Sequence, residues 1–188
     1  MHKKCYSFQV NCIMLSLTER KICMKKLIIY LLKPFSFLPA IAVMYMIFSF
    51  SSQTGADSGN LSYKVSYGIV TAADRVLEKN LSENEKADYA VRIELPVRKL
   101  AHMTEYFILA VCISFPLFVY GLRGFWLLLI AGLFCVGFAC TDEFHQSFVA
   151  GRGPSKRDVF IDSCGAFIGI LLVQIFCRSF LPAPRKRR

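Results

Sequence analysis

Residues 141–169 read TDEFHQSFVAGRGPSKRDVFIDSCGAFIG. The stretch closes one apolar segment, turns through Gly151-Arg152-Gly153-Pro154 and enters another. Upstream of it, residues 125–140 carry no charge, and downstream, residues 159–177 are interrupted by strongly polar groups only at Asp162 and Gln174. A helix that crosses a bilayer needs about 20 mostly apolar residues, and both segments meet that length. At their facing ends stand Asp142, Glu143, His145, Arg152, Asp158 and Asp162. Ionisable groups are costly at such positions, so they pair with one another or act on a ligand.

Moving outward from this stretch, the same reading gives two more spans. One covers about residues 34–50, with Pro34 in the first turn, where its missing N–H loses no bond. It ends in Ser51-Ser52-Gln53. The other covers about 98–120, with Arg98, Lys99, His102 and Glu105 in its first two turns and Pro116 bending its far half. Gly121-Leu122-Arg123-Gly124 is then a tight turn into a span over about 125–144, and the last span covers about 158–180. The totals agree. Of 188 residues 55% are hydrophobic, and the mean hydropathy is +0.45, whereas a soluble domain is nearer ~45–50% apolar. The expected fold is all-α: a polytopic membrane protein of four transmembrane helices with a short helical outer loop.

That loop covers residues 54–97. Apolar residues recur at helical spacing over Tyr63–Leu77, and Ser82-x-x-Glu85 is a capping box for a second helix, Glu83–Leu95. Pro96 is expected to end that helix. Residues 1–23 mix polar, basic and apolar side chains without a cleavage signal. They read as an N-terminal extension, a start-site error ahead of Met24-Lys25-Lys26, so the membrane domain covers 24–180 and a basic tail 181–188.

The formal charge is +10, from 23 basic and 13 acidic residues. The basic residues flank the apolar segments instead of forming a stripe, which suits anionic headgroups and argues against nucleic acid as a partner. With four spans both termini share a side, and the basic flanks place that side in the cytoplasm. The eight cysteines form no CxxC pair and none lies in an outer loop. They read as small buried hydrophobes.

Alternating direction brings the polar ends of all four spans to one membrane face. Arg98, His102 and Glu105 share a helix face at i, i+4, i+7, and Asp142 and His145 stand at i, i+3. Asp158, Asp162, Gly165 and Gly169 form a stripe in which acids give way to a GxxxG, a pattern that admits a neighbouring backbone closely.

Three readings of this cluster stand side by side. In the first the charges are purely structural, with Arg98 and Arg152 forking onto Glu105, Asp142, Asp158 or Asp162. In the second, Arg98, Arg152 and Arg157 hold a phosphate or carboxylate at the membrane surface. Asp142, Glu143, Asp158 and Asp162 then position the arginines or bind a sugar or amine, with Gln146, Ser52 and Gln53 as further binding groups. The third is an intramembrane enzyme acting on a lipid-linked substrate. His102, Glu105, Asp142 and His145 are its catalytic candidates, as ligands of a metal that activates water or with a histidine as general base. The residues leave open which cofactor, if any, such a site would use.

RKLAHMTEYFIL (98–109) and the 141–169 stretch resemble the two signature segments of the VanZ-like family of bacterial membrane proteins. Ser51-Ser52-Gln53 resembles that family's third landmark. Asp162 departs from the Asn more usual there, and Ala150 from a Pro before Gly-Arg. The resemblance implies a multi-pass protein of the bacterial cell membrane that lowers susceptibility to teicoplanin-type glycopeptides. It would bind or alter an outer-leaflet component, and the implied partners beyond the bilayer are a peptidoglycan precursor, an anionic envelope lipid or the glycopeptide antibiotic itself.

Overall fold

The computed structural model describes residues 33–180; the expected extension at 1–23 and basic tail at 181–188 lie outside them. The chain divides into two compact units, residues 1–38 and 39–188. In the first, the described part includes a 3-10 turn, Pro34–Phe37, led by its proline. The helices that follow are α1 (Leu38–Ser51), α2 (Gly55–Leu77), α3 (Glu83–Val119), α4 (Phe125–Gln146) and α5 (Lys156–Phe180), with no strand among the described residues.

Four segments are long and apolar enough to cross a membrane: Pro34–Ser51, Glu83–Val119, Phe125–Gln146 and Lys156–Phe180. They match the four expected spans. Their outward faces carry large apolar side chains, among them Ile41, Tyr45, Leu133, Phe134, Ile175 and Phe176, all exposed. Water would penalise so much contiguous apolar surface, whereas lipid solvates it. The protein is a multi-pass membrane protein.

The α3–α5 contact is the tightest in the bundle. A Cβ added at Gly165 would sit 2.1 Å from the Met103 carbonyl oxygen, and one at Gly169 would sit 2.6 Å from that of Phe107. The GxxxG of α5 therefore receives the backbone of α3, as its spacing predicts. Tyr106, Leu109, Ala110 and Ile113 of α3 and Ala166, Ile170 and Val173 of α5 are buried in the core that this approach creates. Cys135 and Cys177 are buried there too, and the five described cysteines are free thiols.

The loop departs from expectation in two respects, the first being that α2 begins at Gly55, eight residues before the expected Tyr63. Its capping box forms: Ser82 Oγ accepts from the Glu85 N–H while Glu85 receives the Ser82 N–H. The helix it starts does not stop at Pro96 but continues to Val119. A proline inside a helix forfeits one backbone bond and costs about 3 kcal/mol in isolation. Here α2 lies along the first half of α3, burying Ser58, Ser62, Ser66 and Val70 at every fourth position. Ala90 of α3 is buried as well. That packing outweighs the local break. At 37 residues α3 is about 55 Å long, so nearly half of it projects beyond a ~30 Å hydrocarbon core and carries α2 with it.

The α2–α3 turn is closed by Asp74. Its carboxylate accepts the Leu81 backbone N–H at 3.0 Å and pairs with Lys86 at 3.3 Å. The Leu81 N–H, and then Lys86, hold the Asp74 carboxyl below its ordinary range. A depressed folded-state pKa gives stability that is present above the unfolded value and is lost as pH falls through the folded one. Hydrogen exchange across residues 78–86 should therefore stay slow down to about pH 4, the ordinary range of the group, and quicken below it. Asp74→Asn should reduce that pH dependence to the part set by Glu83 and Glu85, whose carboxyls are also held low by Tyr67 and by Ser82 respectively.

Candidate functional site

The polar ends of α1, α3, α4 and α5 do meet at one end of the bundle, where some side chains are fastened to one another, some line open space, and Lys99, Glu143, Gln146 and Asp158 do both. Ser51 at the last turn of α1 is fully buried and donates to Asp142 Oδ2 at 2.8 Å. Gln146, one turn beyond Asp142 on α4, donates to the same oxygen at 3.0 Å and to Ser51 Oγ at 3.2 Å. Glu143 Oε2 receives the Ser155 backbone N–H at 2.8 Å, which ties α4 to the start of α5. Ser155 Oγ in turn accepts from the Asp158 N–H at 3.4 Å, as an N-cap side chain does. Lys99 pairs with Asp158. These contacts lock four helix ends together.

A cavity of about 190 Å³ is bounded by Arg98, Lys99 and His102 of α3, Glu143 and Gln146 of α4, Arg152 of the turn, and Asp158 and Asp162 of α5. A second cavity of about 220 Å³ adjoins it and shares Arg98, His102 and Arg152. Glu105 and Gln53 line only this second one.

The two arginines are held differently. Arg98 Nε donates to Ser62 of α2 at 3.2 Å, and its terminal nitrogen pairs with Glu94 at 2.6 Å. Arg152 donates to the Phe50 backbone carbonyl at 3.2 Å and has no carboxylate ion pair among the described residues. Burial and the neighbouring Arg98 guanidinium press its pKa below the ordinary arginine value, while Asp142, Glu143 and Glu105 pull less strongly the other way. Its turn is set by Gly151 at φ 73°. Gly55 at the start of α2 donates to the Ala150 carbonyl at 3.0 Å, and a Cβ on Gly55 would lie 2.3 Å from the Gly151 oxygen. The first turn of α2 thus clamps the Arg152 turn by direct backbone contact.

Asp162 is 3% exposed, its Oδ1 accepts no hydrogen bond, and it lines the first cavity. His102 Nδ1 lies 3.3 Å from Glu105 Oε2, and that oxygen makes no aligned hydrogen bond. A carboxylate this close to one imidazole nitrogen would orient the ring once the contact aligns, an arrangement that a general base uses.

The remaining candidates lie apart. His145 stacks on Phe48 with ring centroids 4.3 Å apart, and its Nε2 is 3.1 Å from Ser52 Oγ. It lines neither cavity. Asp142 also lines neither, standing behind Gln146. Arg157 is exposed and points to neither cavity's wall. Accordingly His102 and Glu105 form one group and Asp142 and His145 do not join it. Among the described residues no three His, Cys, Asp or Glu side chains converge as a metal-ligand set.

Two holding residues were not singled out by the sequence reading. Glu94 stands at i−4 from Arg98, a spacing at which helical ion pairs form. Ser62 belongs to a Ser58-Ser62-Ser66 stripe whose four-residue period marks one helix face.

A family model described as VanZ/LLP1 matches residues 35–177. No curated protein and no solved structure matches the chain.

Proposed function

We propose a function on the premise that the chain belongs to the VanZ/LLP1 family: this VanZ-type envelope protein binds an anionic component of the outer leaflet between Arg98 and Arg152. The teicoplanin phenotype implied by the family resemblance would run through that binding. The observation that carries the reading is Arg152 itself. It is a half-buried guanidinium beside a second one, without a carboxylate of its own, at the junction of two cavities. Two forks at one point suit a phosphate or carboxylate, which each can engage through paired N–H groups. Asp162 and Glu143 in the same cavity would accept hydrogen bonds from hydroxyl or amino groups on the ligand, as a sugar phosphate or a peptidoglycan precursor would offer.

A second reading is favoured by the His102–Glu105 contact. With an ester or phosphate ester held by the arginines, His102 would take a proton from water as it attacks the carbonyl carbon or phosphorus, and would return it to the departing alcohol as the ester bond breaks, while Glu105 would hold the ring.

One strain set tests both. Wild type, Arg152→Gln and His102→Asn are expressed in a susceptible Gram-positive host, and teicoplanin susceptibility is measured together with protein abundance in the membrane. Wild type should protect, and Arg152→Gln should lose protection at unchanged abundance. His102→Asn should retain protection if binding suffices and lose it if a reaction is needed. Protection by Arg152→Gln equal to wild type would end the binding proposal.

A further inference from the structure

Either cavity alone is smaller than the ~300 Å³ at which small-molecule sites begin. They differ in character. The first is walled mainly by charged and polar side chains. The second is walled by Phe50 of α1, Leu61 and Val65 of α2, and Val97 and Ala101 of α3, and it reaches Arg98 and Arg152 at its inner end. Leu61 and Val65 are each 47% exposed, so the apolar wall continues onto the outer surface of α2. A ligand using both spaces has an anion at the arginines, a polar end in the first cavity and an apolar part in the second.

We infer that the anion is carried on a membrane-anchored phosphate lipid, whose hydrocarbon chain leaves the site through the groove between α2 and α3. This rests on the anion-binding role proposed for Arg98 and Arg152 and adds the class of ligand and its route of entry. Charge complementarity favours an anionic headgroup, because the groove ends on Arg152, which has no carboxylate ion pair among the described residues, beside the Glu94-paired Arg98. The groove fixes the rest. A free phosphate or a soluble sugar phosphate leaves Leu61, Val65, Val97 and Ala101 facing water, whereas a chain covers them. The route also accounts for the position of α2. This helix is not itself among the segments apolar enough to span, yet it supplies one wall of the groove and, through Ser62, one hydrogen bond to Arg98. With α2 at headgroup level, a lipid's phosphate can reach the arginines from the adjoining leaflet while its chain follows the groove and stays clear of the charged cavity.

The test uses purified full-length protein in zwitterionic micelles, titrated with inorganic phosphate, short-chain phosphatidic acid or long-chain phosphatidic acid, with the thermal-melting shift as readout. Long-chain phosphatidic acid should bind at least about tenfold more tightly than the short-chain form, the gain expected from burying about two further methylene groups. Leu61→Trp and Val65→Trp fill the groove from half-exposed positions that tolerate bulk. Each should reduce the chain-length advantage to within about threefold, a loss of roughly 0.7 kcal/mol or more, and leave the inorganic phosphate response unchanged. Equal affinity for the two chain lengths, or an undiminished advantage in both tryptophan variants, overturns the lipid assignment while the anion site stands. No response to any of the three probes removes the anion site, and the lipid assignment with it.

Discussion

Asp162→Leu should raise the melting temperature of the purified protein and abolish its activity in the host. Asp162 is almost fully buried, has no ion pair among the described residues, and leaves Oδ1 without a hydrogen bond. A buried polar group without a partner costs about 1–3 kcal/mol, so an apolar replacement of similar length removes that cost. A gain of this size corresponds to a few degrees in a chain of ~150–250 residues. In the proposed function the ligand would supply the partner that Oδ1 lacks. The opposite result is equally informative. A fall in melting temperature would mean that Asp162 helps to hold the bundle together, and the charges of the first cavity would then be structural. Asp162→Asn separates size from charge: it should lose function if the carboxylate accepts from a ligand ammonium, and keep it if a hydroxyl is the donor.

The sequence made the spans and their shared polar end legible because both follow from patterns that packing cannot reverse. An uncharged run such as residues 125–140 has one stable place, and the alternating direction of successive spans brings alternate ends together. The stripe ending in Gly165 and Gly169 was readable for a similar reason, since only a close neighbour makes use of two glycines at that spacing. The course of α2 was less legible. Gly55-Ala56-Asp57-Ser58-Gly59-Asn60 has no apolar periodicity, and the face that α2 buries is made of serines, which read as solvent-exposed. Those serines are small enough to let α2 lie along α3, and that contact carries α3 through Pro96.

The membership of the site was readable only in part. Asp142 and Gln146 stand one turn apart and face inward together. His145 lies three residues from Asp142, about 60° short of a full turn at ~100° per residue, and this offset sends it to the α1 edge against Phe48. Sequence spacing alone makes i, i+3 and i, i+4 equivalent neighbours, and only the direction of the partner helix separates them. The arginines illustrate the same limit. Arg152 and Arg157 belong to one basic turn, but Gly55 and Gly151 in direct contact hold Arg152 over the cavities, while Arg157 falls on the outer face of the first turn of α5.

Gly165→Leu should remove the protein from the membrane altogether. At this position even a methyl group would come within 2.1 Å of the Met103 carbonyl carbon–oxygen unit, at its oxygen, and within 2.9 Å of Met103 Cγ. The first of these neighbours is backbone of a long, continuous helix and cannot swing aside as a side-chain end can. α3 and α5 would have to separate, exposing Ala166 and Ile170 and pulling Lys99 from Asp158 and the 98–105 face from Arg152. Overpacking commonly costs about 1–3 kcal/mol where side chains can adjust, and a backbone obstacle places this case at or above that range. Against a total stability of roughly 5–15 kcal/mol, a loss of this size also dismantles the site, so degradation should follow insertion. Gly132→Leu on α4 is the control, because its nearest neighbour is the end of the Ile170 side chain at 4.0 Å. Quantitative immunoblotting of membrane fractions should find Gly132→Leu near wild-type abundance and Gly165→Leu reduced at least about tenfold, the ratio that 1.4 kcal/mol brings. Normal abundance of Gly165→Leu would show that α3 and α5 do not depend on the close approach at Met103.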